Sequence, residues 1–152
     1  MALDFILYCQ KKETMKSKLD CILLIDDDEA TNFLHTLVIN EAEVTNTVVA
    51  KTSGQAALDY LNSCKENNDK RPQLVFLDIN MPAMNGWEFL EHYKKLPKEV
   101  QGDVVVVMLT TSLNPDDLEK ASSEREVTSF LNKPLKKEMV LELVEHHFPN
   151  LF

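Results

Sequence analysis

The residues of this chain best suited to chemistry are carboxylates that follow apolar runs. Leu74-Val75-Phe76-Leu77 suits a strand buried on both faces of a parallel sheet, and Asp78 comes directly after it. Met81-Pro82 and Asn85-Gly86 then stop either strand or helix from continuing, so Asp78 is held at the lip of a tight loop. Cys21-Ile22-Leu23-Leu24-Ile25 is a second such run, closed by Asp26-Asp27-Asp28. Any one of these acids alone reads as a helix or turn cap. Brought together, Asp26, Asp27 and Asp78 could not all ionise cheaply, and a divalent cation would relieve the conflict. Oxygen donors select a hard ion, and Mg²⁺ binds through one or two carboxylates plus a phosphate. Such a metal beside a lysine ammonium is what a transferring phosphoryl group needs, with Asp78 as the nucleophile and an acyl phosphate as the product.

Positioning these groups requires elements that the rest of the sequence supplies. After Asp28 and Glu29, which suit a helix amino end, the residues Ala30, Phe33, Leu34, Leu37, Val38 and Ala42 recur at helical spacing and predict one apolar face turned to the core. Val44 to Lys51 reads as a short strand. Ser53-Gly54 opens a helix with Ala57, Tyr60, Leu61 and Cys64 inward, and Lys65 to Arg71 is a solvated loop. Trp87 to Leu96 predicts a helix burying Trp87, Leu90 and Tyr93, stopped by Pro97. Val104 to Leu109 is the most apolar strand and ends in Thr110-Thr111-Ser112. Asn114-Pro115-Asp116-Asp117 starts a short polar helix, expected to be the least firmly packed. Val127 to Leu131 is a last strand, followed by Asn132-Lys133-Pro134 and a closing helix that buries Leu135, Met139, Val140, Leu143 and Val144.

Strict alternation of strands and helices implies an α/β fold: a doubly wound (βα)5 unit with a parallel five-stranded sheet and helices on both faces. Right-handed crossovers make the flavodoxin-like order 2-1-3-4-5 the expected one, with the first and third strands adjacent at the switch point. Asp26, Asp27 and Asp78 would then share one pocket, with Thr110 and Lys133 on loops at the same edge.

Composition narrows the function further. The chain has 152 residues, enough for one domain: residues 19–152 read as that domain and 1–18 as an extension. A formal net charge of −9 and the lack of a Lys/Arg cluster argue against nucleic acid or an anionic membrane as partner. The pairs Lys94-Lys95 and Lys136-Lys137 read as solvated helix faces. Cys9, Cys21 and Cys64 show no pairing pattern and fit reduced cytoplasmic thiols, and adjacent His146 and His147 are poor co-ligands for a metal. Leu3 to Tyr8 is far too short to span a membrane and no basic region precedes it. Met15 is a candidate alternative start.

Four stretches, Ile25-Asp26-Asp27-Asp28, Asp78-Ile79-Asn80-Met81-Pro82-Ala83-Met84-Asn85-Gly86, Met108-Leu109-Thr110-Thr111 and Phe130-Leu131-Asn132-Lys133-Pro134, resemble the receiver domains of two-component response regulators. The resemblance runs from about Leu19 to Phe148. It implies that Asp78 is the phosphoacceptor and that Asp27, Asp78 and the backbone carbonyl of Asn80 ligate Mg²⁺, with Asp26 holding the ion chiefly through water. Lys133 would pair with phosphoryl oxygens ahead of a cis peptide bond to Pro134. Thr110 would donate its hydroxyl to the phosphoryl group, and Phe130 would swing into the space left behind. Phe130 stands where the family often has Tyr, and Asn85 where Asp is frequent. Asp28 is expected as a cap or outer residue, Thr111 leaves the pocket accessible, and Asn80 and Ser112 occupy positions that tune how long the phosphoryl bond lasts.

The expected function is a single-domain response regulator without a separate output domain. It would take its phosphoryl group from a histidine kinase or histidine phosphotransfer protein and signal to a downstream protein through the fourth helix, fifth strand and fifth helix. It is not an enzyme in the ordinary sense, although it assists its own phosphorylation and dephosphorylation. Two alternatives stand beside this: a phosphorylation-independent scaffold, and a Mg²⁺-dependent aspartyl-phosphate phosphatase. The phosphatase would need a second carboxylate where Asn80 stands.

Overall fold

The computed structural model describes residues 15–66, 71–101, 104–111 and 114–152. The expectations placed on residues 1–14, including Leu3 to Tyr8 and Cys9, and on Ser112 lie outside the described residues. Strands β1 (Leu19–Ile25), β2 (Thr45–Lys51), β3 (Leu74–Asp78), β4 (Val105–Thr110) and β5 (Val127–Asn132) form one parallel sheet in the order β2-β1-β3-β4-β5. Helices α1 (Glu29–Ala42), α2 (Gly54–Ser63), α3 (Gly86–Lys94), α4 (Pro115–Ser123) and α5 (Lys137–His147) alternate with the strands, as the flavodoxin-like reading requires. A single helical turn at Lys98–Gln101 and a 3-10 turn at Pro149–Leu151 were not foreseen.

Period-two alternation within the strands divides the core between the two faces of the sheet. Leu23 and Ile25 of β1, Val75 and Leu77 of β3 and Met108 of β4 pack with Ala57, Leu61, Trp87, Phe89 and Leu90 on one side. Ile22, Leu24, Phe76, Val107 and Leu109 pack with Ile39, Val140, Leu143 and Val144 on the other. Phe76 is 1% exposed, and truncating such a ring to alanine costs about 3 to 5 kcal/mol. Met15 joins the second cluster, and the Lys16 N–H donates to Leu151 O at 2.7 Å.

Local signals explain most helix starts. Asp28 accepts the Ala30 N–H, Ser53 accepts the Ala56 N–H, and Asn85 forms a reciprocal capping box with Glu88. Asn114 accepts the Asp116 N–H, with Pro115 in the first helical turn.

The inward face of α1 departs from its apolar periodicity. Phe33, Leu34 and Leu37 are 64%, 59% and 46% exposed, while the buried residues of the helix are Asn32, His35, Ile39 and Ala42. The reason lies in two polar groups with fixed partners beneath the helix. Asn32 Nδ2 donates to Asp26 O at 2.8 Å, and the Leu135 N–H donates to His35 Nε2 at 3.3 Å. Each of these bonds offsets part of the cost of burying a polar side chain and together they turn the apolar stripe outward, although the Asn32 Oδ1 beside the bonded Nδ2 is buried without a partner. Lys94 stays partly solvated, and its ammonium pairs with Glu91, Glu124 and Glu126, which ties α3 to the segment entering β5.

Helix α4 is the least buried of the five. Ala121 is its one buried residue and Leu118 is exposed, in line with its polar sequence.

Candidate functional site

Strand register brings the acids together. Ile25 of β1 is level with Leu77 of β3, so Asp26 and Asp78, each one residue further on, emerge side by side at the carboxyl edge of the sheet. Both are buried, at 5% and 6% exposure, whereas Asp27 is exposed at the rim. One carboxylate oxygen from each of Asp26, Asp27 and Asp78 lies within 4.8 Å of the others. Asp26 is fixed on several sides: its Oδ1 accepts the Asp28 N–H at 2.9 Å, and its own N–H donates to Lys51 O at 3.1 Å.

The far wall comes from β4 and β5. Thr110 is level with Asn132, and the next residue, Lys133, donates its backbone N–H to Thr110 O at 2.8 Å. The side chain of Lys133 then reaches back to Asp26 Oδ2 at 2.5 Å and Asp78 Oδ1 at 3.2 Å. Thr110 is fully buried and Thr111 is exposed beside it. The Lys133-Pro134 peptide is cis. Phe130 is half-buried against the core cluster on the α2/α3 side, and with Leu118, Ala121 and Ser122 it lines a 330 Å³ cavity between α4 and β5.

The loop after β3 closes the floor. The Asn80 N–H faces Asp78 Oδ1 at 3.4 Å, and the Gly86 N–H donates to Ile79 O at 2.8 Å. A Cβ on Gly86 would lie 2.7 Å from Asp78 O and 3.0 Å from Ile79 Cα, both backbone atoms, so only glycine lets α3 begin this close to Asp78. Ala83, in the same loop, adopts the left-handed region with φ of 66°.

Burial raises the pKa of Asp78 above the usual carboxylate range; the Lys133 charge opposes this and Asp26 adds to it. For Lys133 burial works downward, but hydrogen bonding and attraction from Asp26 and Asp78 together outweigh it and the net shift is upward. Asp28 lies outside the pocket and is shifted down by accepting from the Thr31 hydroxyl and the Ala30 N–H, which is the behaviour of a cap.

The donor set fits a hard divalent cation. Asp26, Asp27 and Asp78 offer only oxygen, Lys133 is the cationic side chain paired with the two buried carboxylates among the described residues, and Asp27 is exposed at the rim.

Sequence periodicity did not single out Asn32 and His35, because a lone polar residue on an apolar-looking helix carries no sign of its partner. The setting of Trp87 was equally hidden: its Nε1–H donates to Asp117 Oδ1 at 3.2 Å and Lys120 Nζ lies 5.1 Å from its ring centroid, both from α4.

Residues 22–145 match the family model described as the response regulator receiver domain. The probable methanogenesis regulatory protein FilR2 of Methanothrix harundinacea is 36% identical over 124 residues, which are 82% of this chain and 78% of FilR2. Response regulator Rcp1 of Synechocystis is 33% identical, over 82% of this chain and 83% of its own. The crystal structure of a two-component response regulator from Cytophaga hutchinsonii superposes with a TM-score of 0.79 at 34% identity, covering 86% of this chain and 97% of that one. With the sheet order, the acidic edge and the opposing lysine already in place, these likenesses establish that the chain belongs to the response regulator receiver family of two-component signalling.

Proposed function

We propose that Asp78 accepts a phosphoryl group from a phosphohistidine on a histidine kinase or histidine phosphotransfer protein. Oδ of Asp78 attacks phosphorus, the P–N bond breaks, and the freed imidazole leaves with the electron pair while an acyl phosphate forms. Asp27, Asp78 and the Asn80 carbonyl would hold Mg²⁺ with Asp26 behind a water. The bound ion would supply charge neutralisation for the phosphoryl oxygens. Lys133, which already faces Asp78 at 3.2 Å, pairs with one of those oxygens, and the Thr110 hydroxyl with another. The observation that carries this reading is the convergence of three carboxylates within 4.8 Å beside that lysine.

Two surfaces serve two partners in this proposal. The exposed ridge of Phe33, Leu34 and Leu37 on α1 adjoins a 560 Å³ groove whose wall includes Thr111, Lys133 and Pro134. An apolar ridge at the lip of the site suits the helix of a donor that must bring its histidine to Asp78. The output runs the other way: Thr110 moves toward the phosphoryl group, Phe130 follows toward the cavity under α4, and the face of α4, β5 and α5 is altered for a downstream protein. We take residues 19–152 as the receiver unit, with 1–18 as an extension, and place the chain in the cytoplasm with its phosphodonor. No helix among the described residues is long and apolar enough to cross a membrane.

The test is incubation with acetyl phosphate and Mg²⁺ followed by intact mass measurement. The wild type should gain one hydroxylamine-labile phosphoryl group and Asp78→Asn none. A wild type that stays unmodified under acetyl phosphate and under phosphohistidine donors would favour the scaffold reading. Release of inorganic phosphate from small aspartyl phosphates in trans, with turnover, would favour the phosphatase reading.

A further inference from the structure

Helix α1 turns two polar side chains inward, and each holds a backbone group at the rim of the acidic pocket. Asn32 Nδ2 donates to Asp26 O at 2.8 Å, one residue before Asp27. His35, which is 4% exposed, accepts the Leu135 N–H on Nε2 at 3.3 Å. Leu135 lies two residues beyond Lys133, and the Lys133 N–H is itself bound to Thr110 O at 2.8 Å. The backbone on either side of the lysine is thus held from two elements, β4 before it and α1 after it.

That arrangement has a cost an apolar residue would avoid. Burying an imidazole is unfavourable unless its polar atoms are used, and a leucine here would pack with less penalty. What His35 offers and leucine lacks is an acceptor aimed at one N–H. To accept on Nε2 the ring must be neutral with its proton on Nδ1. Burial and the nearby charge of Lys133 favour the neutral ring, while Asp26 opposes them, and the net shift is downward.

Lys133 in turn spans two carboxylates, at 2.5 Å and 3.2 Å. A displacement of its backbone would lengthen one of these contacts or force the four-carbon arm into another rotamer to keep both. We propose that His35 is a positioning residue for Lys133: by accepting the Leu135 N–H it holds the segment after β5 at the depth from which the ammonium reaches both Asp26 and Asp78, and so sets how tightly the pocket grips a phosphoryl donor. The inference rests on the reading of Asp78 as phosphoacceptor and Lys133 as the phosphoryl partner. It also ties the helix that carries the proposed donor ridge to the residue that binds the transferred group.

An interaction made with the donor both before and during transfer changes KM more than kcat. With acetyl phosphate and Mg²⁺, His35→Leu should raise the half-saturating acetyl phosphate concentration about tenfold, with kcat within about twofold of wild type. His35→Gln, whose Oε1 can accept the same N–H, should recover most of that loss. In the unmodified chain, long-range ¹⁵N spectra should show His35 as the Nδ1–H tautomer with Nε2 unprotonated. Wild-type half-saturation in His35→Leu, a Gln variant no better than Leu, or a proton on Nε2 would each overturn the proposal. If His35→Leu does not fold, the Gln variant and the tautomer decide. A wild type that takes no phosphoryl group from acetyl phosphate or from phosphohistidine donors would overturn the parent reading and this one with it, whereas a reactive wild type beside an unaffected His35→Leu would overturn this one alone.

Discussion

Lys133 Nζ lies 2.5 Å from Asp26 Oδ2, although 107 residues separate them in the chain. The contact joins the end of β5 to the end of β1 across the carboxyl edge of the sheet, and Asp78 stands beside it as the second acceptor at 3.2 Å. The lysine serves in this state as a counter-ion for buried carboxylates, a duty that the proposed divalent cation would share.

Removal of that counter-ion should therefore be costly and metal-dependent. Lys133→Met leaves Asp26 and Asp78 buried without a cation, a loss of about 3 kcal/mol by comparison with other broken buried pairs. Mg²⁺ should restore a larger share of stability to the variant than it adds to wild type. Urea unfolding with and without Mg²⁺ measures both, and equal Mg²⁺ effects in the two chains would contradict the prediction.

Asp78 has the opposite sign. Its folded pKa is raised, chiefly by burial, so it contributes stability below the ordinary aspartate pKa, and that contribution is lost as pH rises through the folded value. At neutral pH the ionised carboxylate is therefore a net burden on the metal-free fold. Asp78→Asn should be more stable than wild type there, and the advantage should shrink on acidification. Thermal melts across the acidic range in a chelator provide the comparison.

Trp87 should report the switch. Its indole N–H is bound to Asp117 and its ring faces Lys120, so movement of α4 changes both contacts. Mg²⁺ with beryllofluoride should alter its fluorescence in wild type and leave Asp78→Asn unchanged. Thr110→Ala should still become phosphorylated from acetyl phosphate but give less than about half of the fluorescence change, because the hydroxyl proposed to draw the β4 loop inward is gone.

Donor docking on α1 can be separated from chemistry. Phe33 and Leu34 are exposed, so Phe33→Asp and Leu34→Asp should shift stability by no more than about 0.5 kcal/mol. Phosphotransfer from a phosphohistidine protein should slow by tenfold or more, on the order of one lost apolar anchor, while the rate with acetyl phosphate stays near wild type. Equal slowing with both donors would place the defect in the pocket instead.

The strands, their order and the acidic edge were legible because each rests on a local rule: a continuous apolar run, a terminating acid, and a crossover handedness that leaves few arrangements. Register then needs nothing further, since Ile25 opposite Leu77 already sets Asp26 beside Asp78. The orientation of α1 was not legible. Phe33, Leu34 and Leu37 form the better apolar stripe, and the Asp26 carbonyl six residues back and the distant Leu135 N–H explain why Asn32 and His35 displace it from the core. The same holds for Lys94, whose acidic partners include Glu124 and Glu126 beyond β4. Long-range polar pairs of this kind leave no periodic trace.

One property of α4 bears on the energy scale of signalling. With Ala121 as its one buried residue and its links to α3 made through Trp87–Asp117, Lys120 over the indole, and Lys94–Glu124, it is fastened by groups that water can solvate. Letting go of such fastenings exchanges one set of hydrogen bonds for another at a net of about 1 kcal/mol each, and Ala121 is the one side chain of the helix that the core would lose. A displaced position of the helix would then differ from this one by an amount within the reach of the differential binding of a single anion, and a minority population of it is expected before any phosphorus arrives.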